Sequence, residues 1–232
     1  MKTKIKLYLG TMLLIISYNL QGQDSNLNYR ISLDVGLTFA GPVGPMANYL
    51  SEQGFDAQNV DSWFFGPTDY PVKTPVGGSL SLNYSWRVRM GKRVNIQVGS
   101  SNLGRVSGLS NSGASIAFEF KSLYGAIFYS YQKNPWILKI GPSILLNTIN
   151  PESYTLNQMN TKDTKVTLGV FGGLGLRLWS SKRTYGKLNL DYIYALPNKL
   201  GPYDTNSNPD NLPEKHISFR HGTSSFTIGV HL

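Results

Sequence analysis

From Tyr29 to Ala40 the chain alternates with strict period two. Tyr29, Ile31, Leu33, Val35, Leu37 and Phe39 fall on one face, and Arg30, Ser32, Asp34, Gly36, Thr38 and Ala40 on the other. Only an extended strand with two unlike faces sorts residues this way. The pattern returns with Leu80, Leu82, Tyr84, Trp86 and Val88 against Ser79, Ser81, Asn83, Ser85, Arg87 and Arg89. It returns again with Val94, Ile96 and Val98 against Asn95, Gln97 and Gly99. Trp136, Leu138, Ile140, Ile144 and Leu146 then oppose Lys139, Gly141, Ser143 and Asn147. Val166, Leu168, Val170, Leu174, Leu176 and Leu178 oppose Lys165, Thr167, three glycines and Arg177, and Leu188, Leu190, Tyr192 and Tyr194 oppose Lys187, Asn189 and Asp191.

Two runs are less regular. Between Ile116 and Tyr131 the phase breaks near Lys121 and Ser122, and between Ile217 and Leu232 it breaks near Thr223 to Ser225. Either break predicts a β-bulge, since one inserted residue sends every later side chain to the opposite face; the alternative for the first is that Ile116 to Phe120 belong to a loop. One helical period stands out, a short segment from Pro45 to Gln53. The joints are lopsided. Met90-Gly91-Lys92, Lys133-Asn134-Pro135 and Ser181-Lys182-Arg183 are tight turns, whereas the alternate connections, about 41–75, 101–113, 148–163 and 197–214, are long.

Composition narrows the class. Only 15% of the 232 residues are charged, 12% are aromatic, and there is no cysteine. A disulfide framework and a thiolate metal site are excluded, and no histidine or carboxylate spacing suits a metal or other cofactor. Residues 1–22 carry Lys2, Lys4 and Lys6 ahead of an apolar run from Leu7 to Ile16. That is the layout of a secretory signal peptide, with cleavage expected after Gly22 and one domain over 23–232. Its removal takes three lysines and lowers the formal charge from +9 to +6. No basic patch interleaved with aromatics follows, so nucleic acid is not an expected partner.

Alternation alone fits a soluble barrel with an apolar inside as well as a membrane barrel with an apolar outside. The polar phase is Ser-, Gly-, Asn- and Thr-rich with scattered charges, too weakly charged for a soluble exterior but suited to a narrow lumen. Short turns at one end and long loops at the other match an outer-membrane barrel, with the turns periplasmic. Trp86, Trp136 and Trp179, with Tyr29, Tyr131 and Tyr185, all fall at the short-turn end, where an interfacial aromatic belt belongs. Each run is long enough to cross tilted. The expected fold is all-β: a single up-and-down antiparallel transmembrane β-barrel of eight strands, with long extracellular loops and short periplasmic turns, in the cell outer membrane.

In this layout the chain resembles the small eight-stranded outer-membrane β-barrel proteins, of the kind gathered as outer-membrane β-barrel domains in Bacteroidetes. The resemblance covers 27–232. It includes the closing strand Phe226-Thr227-Ile228-Gly229-Val230-His231-Leu232, similar to the C-terminal signal by which the family is read by the barrel-insertion machinery, although Leu232 stands where the family usually ends in an aromatic. The resemblance implies contact with outer-membrane lipid and with that machinery; it names no ligand or protein partner.

Candidate sites follow from the faces. Arg30, Asp34, Arg87, Gln97, Lys139, Arg177, Lys187 and Asp191 lie on the polar phase and form an expected lumen network. Eight strands enclose only enough space for side chains, which favours a paired polar plug over an anion-favouring pore. His221 near Ser224 and Ser225 invites comparison with outer-membrane lipid A deacylases, which use a His-x-Ser pair followed by Asn. The spacing here differs, the Asn is missing, and without a bulge His221 and Ser224 point to opposite faces. No catalytic residue is therefore assigned. In the first long loop Met46, Tyr49 and Leu50, followed by Trp63, Phe64 and Phe65, fit a packed lid over the barrel mouth better than a bare contact surface, because loops this long need a core of their own. The expected function is non-enzymatic, structural or surface-interacting, with a small passive uptake pore, a lipid-modifying enzyme and a soluble ligand-binding barrel as rivals.

Overall fold

The computed structural model describes residues 29–39, 41–62, 66–153, 162–202 and 212–232. The expected signal peptide and Trp63, Phe64 and Phe65 lie outside the described residues. Eight long strands run in chain order: β1 (Tyr29–Phe39), β2 (Gly77–Arg89), β3 (Lys92–Leu109), β4 (Ser115–Lys133), β5 (Trp136–Ser153), β6 (Asp163–Ser180), β7 (Thr184–Ala195) and β8 (His221–His231). Each pairs antiparallel with its sequence neighbour, and β1 pairs with β8, so the sheet closes on itself. Closure leaves the barrel wall no unpaired edge, the condition that lipid imposes on any spanning sheet.

The apolar phase faces out. Val166, Ile140 and Leu168 are 65%, 64% and 63% exposed, and Leu190, Leu138, Val98 and Val35 are exposed beside them. Registers align such residues across strands, so Leu33 lies between Leu82 of β2 and Ile228 of β8, and Leu168 lies opposite Ile144. An apolar surface continuous around the whole barrel is far larger than a soluble monomer exposes, and it excludes the soluble-barrel rival. On the outer wall, the Arg105–Glu152 and Lys121–Glu119 ion pairs, at 2.8 and 2.9 Å, mark the end of the apolar band on the long-loop side.

Neither expected bulge is present where the sequence pattern breaks. Along β4, Ile116, Phe118, Phe120, Ser122, Tyr124, Ala126, Phe128 and Ser130 are all buried in unbroken alternation. Along the last segment Ile217, Phe219, His221, Ser225 and Thr227 do the same. What changes is the chemistry of the interior: the same inward face is apolar near the long loops and polar further down. Ile116 to Phe120 therefore belong to the strand and not to a loop. The expected connection over 101–113 shrinks accordingly, because β3 runs to Leu109 and β4 starts at Ser115. A bulge does occur on β3, between Asn102 and Gly104 opposite Lys121 and Phe120. Gly104 there has φ +99, and a Cβ on it would meet the Thr74 carbonyl oxygen at 2.1 Å.

A second bulge settles the position of Trp179, which falls in the polar phase of its strand. Gly186 pairs with Trp179 but Lys187 pairs with Arg177, so Leu178 is the extra residue. After it Trp179 turns outward, 42% exposed, its ring lying on Gly186 and 5.8 Å from that of Phe226.

On the long-loop side lie helix α1 (Val43–Glu52) and two short ribbons, Val60–Ser62 with Gly66–Thr68 and Pro197–Leu200 with Lys215–Ser218. The helix begins two residues earlier than its sequence period predicts.

Candidate functional site

The interior is built on two levels. Near the long loops α1 presents Val43, Met46, Ala47, Tyr49 and Leu50, all buried, to an apolar core that includes Leu103, Val106, Phe118, Phe120, Leu145 and Phe219. Residues of β3 to β7 surround this stopper, so it occupies the mouth of the barrel. The helix is also held by polar ties: the Tyr49 hydroxyl donates to the Pro213 carbonyl oxygen, and Lys215 reaches Glu52 at 3.0 Å. Tyr49 lies outside the spanning part, and burial, with Glu52 adding to it, pushes its phenol up to about 12.

Below the stopper the inward face turns polar, and the two buried acids organise it. Asp34 accepts from Ser81 Oγ at 3.2 Å, from Gln97 Nε2 at 3.4 Å and from the Thr227 hydroxyl. Gln97 also donates to Ser81 at 2.6 Å and to the Tyr124 hydroxyl at 3.3 Å. Asp191 accepts from Lys139 Nζ at 2.8 and 3.0 Å, and the same ammonium donates to Asn189 Oδ1 at 2.9 Å. Asn189 in turn donates to Thr227 at 2.5 Å, which joins the Asp34 and Asp191 groups into one network across β1, β8, β7 and β5. Phe128 and Phe171 stack beside it with ring centroids 4.6 Å apart. A cavity of about 10 Å³ lies between Asp34, Gln97, Tyr124 and Asp191, roughly the space of one water.

Of the residues expected in the lumen, Asp34, Gln97, Lys139 and Asp191 thus meet in this network. Arg30, Arg177 and Lys187 lie lower, at the short-turn end, around a second cavity of about 30 Å³. Arg87 stands exposed at the rim, opposite Arg93 in the register. Sequence reasoning missed Arg93, buried and donating to Ser85 Oγ at 3.1 Å, and with it the neutral network members Ser81, Tyr124, Asn189 and Thr227. Arg93 continues the polar phase of Asn95 and Gln97 one step toward the turn, and that was the available signal.

The aromatic residues at the short-turn end divide. Trp136, Trp179, Tyr29 and Tyr131 are exposed on the outer wall and Trp86 is half-buried there; Tyr29 stacks on Tyr84 at 6.0 Å and Tyr84 meets Trp86 at 6.1 Å. Tyr185 does not join them. It is 5% exposed and points inward, with Arg30 5.1 Å and Lys187 6.0 Å from its ring centroid. Its parity is that of Lys187, Asn189 and Asp191, and parity overrides its position near the turn.

His221 is fully buried at the junction of the two levels, donating Nδ1–H to the Phe219 carbonyl oxygen at 3.0 Å, while Ser224 faces out. The two side chains lie on opposite sides of the wall, a geometry that gives no nucleophile and base pair. Among the described residues no group of three or more His, Asp or Glu could hold a metal ion.

No family model and no curated protein matches the chain. Among solved structures it is similar to the outer membrane protein OprG from Pseudomonas aeruginosa, at TM-score 0.57 and 11% identity over 89% of this chain and 97% of that one. Neisserial surface protein A aligns at TM-score 0.42 and 14% identity, covering 88% and 97% of the two chains. The outer membrane protease OmpT from Escherichia coli aligns at TM-score 0.38 and 11% identity, covering 92% and 100%. At these identities the likeness concerns architecture: with its apolar wall, closed eight-strand ring and short turns at one end, the chain has the fold of the small outer-membrane β-barrels.

Proposed function

We propose that this protein is an integral outer-membrane barrel with a closed bore, non-enzymatic, that acts through its surface and its long loops. The observation that carries the reading is the double filling of the interior: a hydrogen-bonded network around Asp34 and Asp191 below, and the α1 stopper above. Water and ions would have to displace both. The filled bore weighs against the passive-pore rival, and the opposite facing of His221 and Ser224 weighs against a deacylase. The exposed aromatics Trp136, Trp179, Tyr29 and Tyr131 supply the headgroup-level belt. The closing strand, whose outward residues are Phe226, Ile228 and Val230, is the segment offered to the insertion machinery. Planar-bilayer recording of the purified protein tests the closed bore. The expected trace is flat, whereas steady, ion-selective steps of one size would overturn it.

A further inference from the structure

We propose that the outer wall at the Lys133–Trp136 turn is a binding site for one anionic diacyl phospholipid of the periplasmic leaflet. The wall is not smooth there. A groove of about 560 Å³ opens on it, lined by Tyr131, Lys133, Pro135, Trp136, Leu138 and Leu174. Its apolar part follows from register: Leu138 of β5 lies opposite Tyr131 of β4 on one side and Leu174 of β6 on the other. All three are exposed on the outer wall, with Trp136 57% exposed beside them. Backbone bonds fix the rim. Gln132 N–H donates to the Gly91 carbonyl oxygen at 2.6 Å, and Arg177 N–H donates to that of Pro135 at 2.8 Å, which ties the turn to the β2–β3 turn and to β6. A groove already shaped before its occupant arrives needs little ordering on binding.

One step further into the apolar band Ile140 pairs with Gly172, which shares the outward parity of Val170 and Leu174. A Cβ at Gly172 would meet only the Lys139 carbonyl oxygen, at 3.9 Å, so no crowding demands glycine there. The missing side chain leaves the wall low between Ile140 and Tyr192, in line with the groove. An acyl chain laid over Leu138 and Leu174 and on past Gly172 fills that low place with apolar contacts. Charge then selects the headgroup. Lys133 lines the groove at its turn end, and Lys92, on the outward parity of Val94, lies opposite Tyr131 in the register. Segments 87–92 and 131–136 together carry Arg87, Arg89, Lys92 and Lys133 and no Asp or Glu. Basic residues at this level attract anionic headgroups, and a lysine stem can lie along apolar wall while its ammonium reaches the phosphate. The short turns face the periplasm, so the leaflet that meets the groove is the periplasmic one. The site rests on the lipid-facing wall and not on the closed bore.

The test uses the full protein in phosphatidylcholine vesicles doped with lipid brominated on one acyl chain, either phosphatidylglycerol or phosphatidylcholine. Bromine quenches a tryptophan that it touches. At equal mole fraction the brominated phosphatidylglycerol should quench more strongly, with an excess that saturates at low mole fraction. The excess should disappear in Trp136→Phe, where the reporter at the groove is gone. Lys133→Gln should need about fivefold more phosphatidylglycerol for half the excess, the contribution of one cation near a membrane surface, and Lys133→Arg about as much as the parent. Gly172→Leu fills the low place without touching either lysine, and should raise the requirement about fourfold, the contact of one methylene. Equal quenching by the two lipids, an excess that survives Trp136→Phe, or one unmoved by Lys133→Gln or by Gly172→Leu would overturn the site alone. Quenching by neither lipid would overturn the site together with the lipid-facing wall. None of these outcomes depends on whether the bore conducts.

Discussion

Asp191→Asn is nearly isosteric but removes the counter-charge of Lys139. The two side chains are 7% and 2% exposed, and the ammonium lies 2.8 and 3.0 Å from the two carboxylate oxygens. Breaking a buried pair by removing one partner costs about 3–5 kcal/mol, because the remaining charge stays dehydrated. Lys139→Met should cost a similar amount, since it strands Asp191 and the Asn189 oxygen together. Replacing both, as in Lys139→Met with Asp191→Asn, should return stability to within about 2 kcal/mol of the parent, because the neutral pair leaves no uncompensated charge. The double-mutant cycle therefore has a coupling energy of at least about 3 kcal/mol, well above the scatter expected of independent sites. The assay is urea unfolding of the protein in lipid vesicles, followed by tryptophan fluorescence, with midpoint and slope compared across the cycle. Single variants costing under about 1 kcal/mol each, with additive effects in the double, would mean that water reaches the pair and that the lumen is not the closed network described.

Other outcomes follow from the same geometry. Leu168→Arg, on the outer wall opposite Ile144, should cost about 2–4 kcal/mol in a bilayer; a neutral effect there would contradict the lipid-facing assignment. Tyr49 ties the helix to Pro213, and its phenol is pushed up from 10 to about 12, mainly by burial. A raised acid favours the protonated fold, so this contribution is complete below pH 10 and lost as pH rises from 10 toward 12. Tyr49→Phe should lose about 1 kcal/mol at neutral pH and lack that alkaline component, and an unchanged alkaline profile in urea unfolding would refute the assignment. Gly186→Ala places a methyl 2.1 Å from the Trp179 ring and should displace the indole, at a cost of about 1–3 kcal/mol and with a shift in tryptophan emission. An unshifted spectrum would argue against the bulge that turns Trp179 outward.

The architecture was legible in the sequence because a strand with lipid on one side and a narrow lumen on the other must alternate. The runs through Leu33, Leu82, Leu168 and Leu190 carry that constraint residue by residue. Turn lengths and the count of runs then implied closure. Local pattern was also enough to place Asp34, Gln97, Lys139 and Asp191 on one inward face and Met46, Tyr49 and Leu50 on one side of a helix. It failed where the solvent of a single face changes along its length. Ile116 to Phe120 and Ile217 to Phe219 look out of phase only to a reader who assumes that inward means polar; packing of the α1 stopper makes the upper interior apolar without moving any strand out of register. Trp179 shows the same boundary from the other side: proximity to a turn is a sequence property, but parity across the Leu178 bulge exists only once β6 and β7 are paired, whereas the inward parity of Tyr185, shared with Lys187, Asn189 and Asp191, was already legible. The partners of Lys139 and the filled bore depend on contacts between strands far apart in the chain, and such contacts are set by closure of the ring and by nothing local.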